Sequence, residues 1–187
     1  MVEKITKWLY LEPLVYKQEF THLTEISRNL KKNHSVVRQY LNLFEKDGIL
    51  EKTRKGRLTM YKIKISFPLI IDYTAIVEKE KLINKCRKEL VINELVDFLH
   101  KNLNEDSKAL IFGSAAVDSK KANDIDLLVT GKTNLNKGIA NFEKKFNVNI
   151  HIINAKDLKS LNEGLRKEIM SKHLIIQGSE EIIKWLI

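Results

Sequence analysis

Apolar residues recur along this chain in two rhythms, every three to four residues or every second residue, and their order lays out the expected elements. A first helical stretch is expected over residues 2–19, interrupted near Pro13. Leu23, Ile26 and Leu30 fall on one face of a second helix, which Thr21 is placed to cap. Lys31-Lys32-Asn33 forms a polar turn. A third helix over residues 34–46 then carries Val37, Tyr40, Leu41 and Phe44 at i, i+3, i+4 and i+7. Asp47-Gly48 supplies a left-handed stop. Residues 49–53 and 58–65 read as two strands around Arg54-Lys55-Gly56-Arg57. The order is helix, turn, helix, basic hairpin.

Pro68 marks a break, after which the helical rhythm holds over residues 73–103 through Ile76, Leu82, Ile83, Cys86, Leu90, Val91, Leu95, Phe98 and Leu99, as one helix or two. Strands are expected over residues 108–112, 125–129 and 148–153, with a short apolar run at 174–176. Helices are expected over residues 136–145, 161–172 and 180–186. Helices and strands alternating in this way predict helices packed on a small mixed sheet. The expected organisation is a first domain over residues 1–66, a helical connector over 67–89 and a second domain over 90–187, an α+β chain throughout.

Charge sharpens that division. The chain has 187 residues and a formal net charge of +9. Residues 1–66 hold 14 Lys and Arg against 7 Asp and Glu, whereas residues 67–187 hold 19 against 17. The basic surplus therefore lies in the first third, as expected of a surface facing a polyanion. A single cysteine, Cys86, excludes an intrachain disulfide and fits a reducing compartment. No apolar run is long enough to cross a membrane, and the N-terminus lacks the apolar core of a signal peptide, so a cytoplasmic protein without membrane contact is expected.

On the third helix the positions left outside the apolar face near its start are Ser35, Arg38, Gln39 and Asn42. Arg pairs well with guanine, and Gln or Asn with adenine, when such a helix enters the major groove. Residues 23–65 resemble the winged helix-turn-helix family, most of all through Tyr40-Leu-Asn-Leu-Phe-Glu-Lys-Asp-Gly-Ile-Leu50. The resemblance implies DNA as partner, with Arg54, Lys55 and Arg57 on the wing holding phosphates. Winged helices commonly dimerise, so a homodimer is a further expectation.

The most chemically informative stretch runs from Ala109 to Val129. An apolar run ends in Gly113-Ser114, a polar connection follows, and Asp124-Ile125-Asp126 opens a second apolar run. Residues i and i+2 of a strand face one side, so the two carboxylates converge, which suits a hard divalent cation. Gly-Ser at the end of the first strand would turn the chain into a helix start, where free N–H groups can meet a phosphate. Residues 90–187 resemble the DNA polymerase β-like nucleotidyltransferase superfamily in its small prokaryotic form, through Gly113-Ser114 and Asp124-Ile125-Asp126 with the flanking runs Leu110-Ile-Phe112 and Leu127-Leu-Val129. The resemblance implies that Gly113 and Ser114 contact the phosphates of a nucleoside triphosphate. It implies that Asp124 and Asp126 ligate Mg²⁺ (or Mn²⁺), and that a nucleotidyl group is passed to a hydroxyl acceptor.

Three positions depart from the family pattern. Val117 and Asp118 stand where Arg and Gly are common, leaving Lys120 or Lys121 to supply a positive charge. Asn123 replaces a frequent Ser. The strand expected to bring a third carboxylate, residues 148–153, has no acid and carries Asn149 and His151 on one face. His151 is then the candidate general base. Two readings stand side by side: a DNA-binding nucleotidyltransferase, and a catalytically degenerate protein, either a nucleotide-responsive transcriptional regulator or an antitoxin-like partner.

Overall fold

A computed structural model describes residues 6–119, 122–131 and 135–187. The chain is mixed α and β with two small sheets, and divides into two compact units, Met1–Val77 and Glu78–Ile187, the boundary falling inside helix α3 (Ile70–Lys88).

The first unit begins with a 3-10 helix, Lys7–Leu14, that contains Pro13. This replaces the described part of the longer helix expected over residues 2–19, whose first residues lie outside the described ones. Pro13 has no N–H to give, and a tight helix of fewer turns accommodates it near its end. Thr21 and His22 form strand β1 (Thr21–His22), so Thr21 is a buried strand residue and caps nothing. Helix α1 (Leu23–Leu30) follows directly, with no side-chain cap. Helix α2 (His34–Lys46) starts where Asn33 accepts the Ser35 N–H at 3.0 Å. It stops at Asp47-Gly48, where Ile49 N–H reaches back to Phe44 O at 2.9 Å.

Strands β2 (Leu50–Lys55) and β3 (Leu58–Ile63) pair antiparallel with Lys55 opposite Leu58, closing a two-residue turn at Gly56-Arg57. β3 is the central strand, with β1 on its other side. Leu11, Leu14, Ile26, Val37, Leu41, Phe44 and Tyr61 form a closed core between the helices and β3. Tyr40 lies at its margin, stacked on Tyr10 with centroids 4.2 Å apart. Trp8 packs on Phe44 at 5.8 Å. Each large apolar side chain buried here contributes about 2–3 kcal/mol.

In the second unit, helix α4 (Leu90–Asn102) follows α3, so the long expected helix is two. Strand β4 (Lys108–Phe112) is buried from Ala109 to Phe112, which explains its uninterrupted apolar run. A four-residue helical turn, α5 (Ser114–Val117), leads toward β5 (Asp124–Thr130). Helix α6 (Asn136–Phe146) carries the chain to β6 (Asn149–Ala155), the crossover a parallel β5–β6 pair requires. A short 3-10 helix (Leu158–Ser160), helix α7 (Glu163–Ser171), strand β7 (His173–Gln177) and helix α8 (Ser179–Leu186) complete it. The sheet order is β6-β5-β4-β7, with β4 antiparallel to both neighbours.

Ile92, Leu95 and Leu99 of α4 pack with Ile111, Leu127, Val129 and Ile176 in one core. At the two outer strands, side chains meet backbone groups: Ile150 N–H donates to Glu143 Oε1 at 2.7 Å, and Ile176 O accepts from Lys79 Nζ at 3.2 Å. A buried ion cluster lies beside β7. Glu78, 1% exposed at its side chain, sits 3.0 Å from Lys81 Nζ and 3.5 Å from His173 Nε2. Burial works against the Glu78 charge, but the Lys81 ammonium and the His173 ring outweigh it and hold the carboxyl below its ordinary value.

Candidate functional site

β4 and β5 bring the two halves of the sequence motif together, because antiparallel pairing sets Phe112 opposite Asp126. Gly113 therefore follows the strand at the point where the Asp126 side chain rises. Its backbone, φ +72° and ψ −148°, is a conformation open almost only to glycine. A Cβ there would stand 3.1 Å from Asp126 Oδ2 and 4.0 Å from Glu168 Oε1. The glycine thus serves twice: it makes the turn, and it leaves the carboxylate room. Gly113 N–H donates to Lys172 O at 3.2 Å, tying the turn to the chain ahead of β7. Ser114 follows at the start of the short α5, and is exposed.

Asp124 opens β5 and is exposed, while Ile125 between the two acids points into the core. Asp126 is partly buried, its side chain 25% exposed. The parallel register places Asn149 beside Asp124 and His151 beside Asp126. His151 Nδ1 lies 3.2 Å from Asp126 Oδ1, with 65% of the imidazole side chain exposed. The two polar residues of β6 thus stand next to the two acids of β5 along one sheet face. No three His, Cys, Asp or Glu side chains gather into a metal-binding group among the described residues.

The loop after α5 is pinned from below. Lys85 Nζ donates to Val117 O at 2.7 Å and pairs with Glu89 Oε1 at 2.6 Å. Glu89 in turn accepts from Ser119 N–H at 3.2 Å and from the Ser119 hydroxyl. Burial opposes the Glu89 charge, yet the hydrogen bonds from Lys85 and Ser119 keep its carboxyl below the ordinary value. Lys85, paired with Glu89, thus ties α3 to the Val117 carbonyl. Lys120 and Lys121, the expected substitutes, lie outside the described residues.

Two residues near this end of the sheet carried no signal in the sequence. Glu168, on α7, comes to Gly113 only through the fold. Lys85 sits in an ordinary helical pattern, and its contact to Val117 O joins segments far apart in the chain.

In the first unit, Ser35, Arg38 and Gln39 are exposed along α2, and Arg54, Lys55 and Arg57 are exposed on the hairpin. Ser35 donates its hydroxyl to Asn33 Oδ1 at 3.0 Å, as part of the helix start. Asn42 differs from the others: its Oδ1 accepts from Tyr61 OH at 2.9 Å and from Lys52 Nζ at 2.8 Å. It ties α2 to the hairpin and satisfies the hydroxyl of a fully buried tyrosine.

No protein-family model and no curated protein matches the chain. Among solved structures, a chain from a mutant form of the toxin-antitoxin MntA-HpeT is 14% identical with a TM-score of 0.38, over 50% of this chain and 78% of that chain. A chain from a second mutant of the same toxin-antitoxin is 17% identical with a TM-score of 0.37, over 50% of this chain and 77% of that chain. Similarity of this degree leaves the function to be argued from the residues themselves. No described helix is long and apolar enough to cross a membrane.

Proposed function

We propose that the second unit, as a nucleotidyltransferase-like domain, binds a nucleoside triphosphate with Mg²⁺ at Gly113, Ser114, Asp124 and Asp126, and transfers its nucleotidyl group to a hydroxyl acceptor. The observation that carries this reading is the meeting of three groups: a glycine turn that only glycine fits, the Asp126 carboxylate 3.1 Å from where its Cβ would be, and His151 Nδ1 3.2 Å from the same carboxylate. The donors suit the cation. Two carboxylates on one strand face are hard oxygen ligands, and Mg²⁺ is commonly held by one or two such groups together with substrate phosphates. A site to which β6 brings Asn149 and His151 in place of an acid thus fits a metal that arrives with its nucleotide. When bound, the cation would neutralise the triphosphate and favour attack on the α-phosphorus, with the α–β bond breaking and pyrophosphate leaving.

The chain's own residues have separate tasks. Gly113 lets the backbone approach the phosphates, and Ser114 offers an exposed hydroxyl. Asp126 orients His151: with Nδ1–H donating to Oδ1, the ring keeps Nε2 as a proton acceptor. Nε2 would take the proton of the attacking hydroxyl. Lys85, Glu89 and Ser119 hold the loop that follows.

One observation favours the second reading, nucleotide binding without turnover. β6 brings Asn149 and His151 to the acids instead of a carboxylate, and no three-member ligand group forms among the described residues. Incubation with α-labelled nucleoside triphosphates, Mg²⁺ or Mn²⁺ and cell extract separates the two. Label transfer that disappears in Asp126→Ala establishes the transferase. Saturable Mg-nucleotide binding without transfer favours the regulator. Absence of both would falsify the nucleotide site.

We further propose that the first unit is a winged helix that binds DNA through Ser35, Arg38 and Gln39 of α2 and Arg54, Lys55 and Arg57 of the hairpin. Their exposure in one basic unit supports it. Asn42 then acts as the tie between helix and wing. Fluorescence anisotropy with a mixed-sequence duplex at two salt concentrations tests this, and lack of binding at low salt defeats it.

A further inference from the structure

At the other end of the same sheet lies a cavity of about 720 Å³, lined where β4 begins and β5 ends and by the 3-10 helix, α7 and α8. Thr130 and Gly131 of its wall follow Asp126 along β5, and four residues of strand span roughly 13 Å. The cavity is therefore separate from the site described above, and its size suits a small organic ligand.

Its walls combine three chemistries. Trp185 and Leu158 give an apolar surface. Lys108 and Lys184 are cations already engaged, by Glu181 at 3.2 Å and Glu180 at 2.6 Å. Lys156, Lys159 and Arg166 are the remaining cations. Among the described residues Lys156 and Lys159 form no ion pair. Arg166 makes one long hydrogen bond, from Nη2 to Leu186 O at 3.5 Å, and its buried Nε has no hydrogen-bond partner. The guanidinium lies 5.8 Å from the centre of the Trp185 ring. The acids in the wall do not cancel this charge: Asp106, Asp157 and Glu181 face five cations, Lys108, Lys156, Lys159, Arg166 and Lys184, and Glu181 is engaged by Lys108. A flat indole beside an under-used guanidinium and two unpaired ammonium groups is suited to a ligand that is aromatic at one end and anionic at the other.

We propose that this cavity binds an organic phosphate of mononucleotide size, its ring packed on Trp185 and its phosphate among Lys156, Lys159 and Arg166. The site requires neither a divalent cation nor Asp126, so it stands or falls apart from the nucleotide site at Gly113 and Asp126. The chain has two tryptophans, so Trp8→Phe leaves Trp185 as the sole indole reporter. AMP titrated in EDTA should quench Trp185 saturably, and calorimetry on the unsubstituted chain should return the same Kd. Lys156→Gln/Lys159→Gln, a surface change, should weaken AMP by at least about tenfold. Asp126→Asn should leave it unchanged. Adenosine and inorganic phosphate should each bind at least about tenfold more weakly than AMP. No saturable signal by about 10 mM AMP, equal affinity in the double lysine variant, loss of binding in Asp126→Asn, or phosphate binding as tightly as AMP would each overturn the proposal.

Discussion

Replacing Gly113 with alanine tests the geometry on which the candidate site rests. Two effects add at this position. The backbone, φ +72° and ψ −148°, lies where a residue with a Cβ costs about 1–3 kcal/mol. The new methyl would also sit 3.1 Å from Asp126 Oδ2, so the carboxylate must shift by a few tenths of an ångström. Asp126 is 25% exposed at its side chain and can yield, so the backbone dominates and the expected loss is about 2 kcal/mol. For a unit of this size that lowers the melting temperature by roughly 10 °C. The two units need not melt together, so the transition should be read from Trp185 fluorescence in a Trp8→Phe background. Repeating the substitution in Asp126→Ala separates the effects. Backbone strain persists there, whereas a methyl–carboxylate clash disappears. A Gly113→Ala melt within about 2 °C of the parent refutes the argument from the turn, and a penalty that vanishes without Asp126 shows that contact, not conformation, was responsible.

Asn42→Ala should destabilise the first unit by about 1–3 kcal/mol in urea unfolding followed through Trp8, because it leaves the hydroxyl of fully buried Tyr61 without its acceptor. Glu78→Ala should cost about 3 kcal/mol by leaving His173 and Lys81 uncompensated, measured by thermal unfolding. The folded-state pKa of Glu78 lies below its ordinary 4.5, so its contribution is complete above about pH 4.5 and fades as the pH falls through the folded value. Glu78→Gln should remove that part of the acid dependence, and an unaltered pH profile would contradict the assignment. If the hairpin meets phosphates, Arg54→Ala, Lys55→Ala and Arg57→Ala should each reduce the slope of log affinity against log salt by about one, with little change in duplex preference.

What the sequence made legible was local. Helix α2 could be bounded because a polar turn precedes it and Asp47-Gly48 stops it, both short-range devices. β4 stood out as an apolar run closed by glycine, and Asn149 and His151 could be assigned one face of their strand by period alone. Strand β1 was missed because two residues carry no period, and Thr21 reads equally well as a cap until Tyr61 is found opposite it. The dual use of Asn42 depends on Tyr61 across the hairpin, and the register that sets His151 beside Asp126 depends on a parallel pairing closed through α6. Lys85 at Val117, Glu168 near Gly113 and the cavity around Trp185 are products of long-range packing, and no motif announces them.

The backbone contacts at the outer strands of the four-stranded sheet bear on self-association. An open strand edge is a template on which another chain can continue the sheet. Here Glu143 occupies the Ile150 N–H on β6, while Lys79 and His100 Nε2, the latter at 3.3 Å, converge on the Ile176 carbonyl of β7. Burial pushes the Lys79 ammonium pKa down, so its charge is held at some expense in solvation. An incoming strand would have to displace these side chains to pair at Ile150 and Ile176. The two contacts thus work against growth of the sheet by strand addition at these positions.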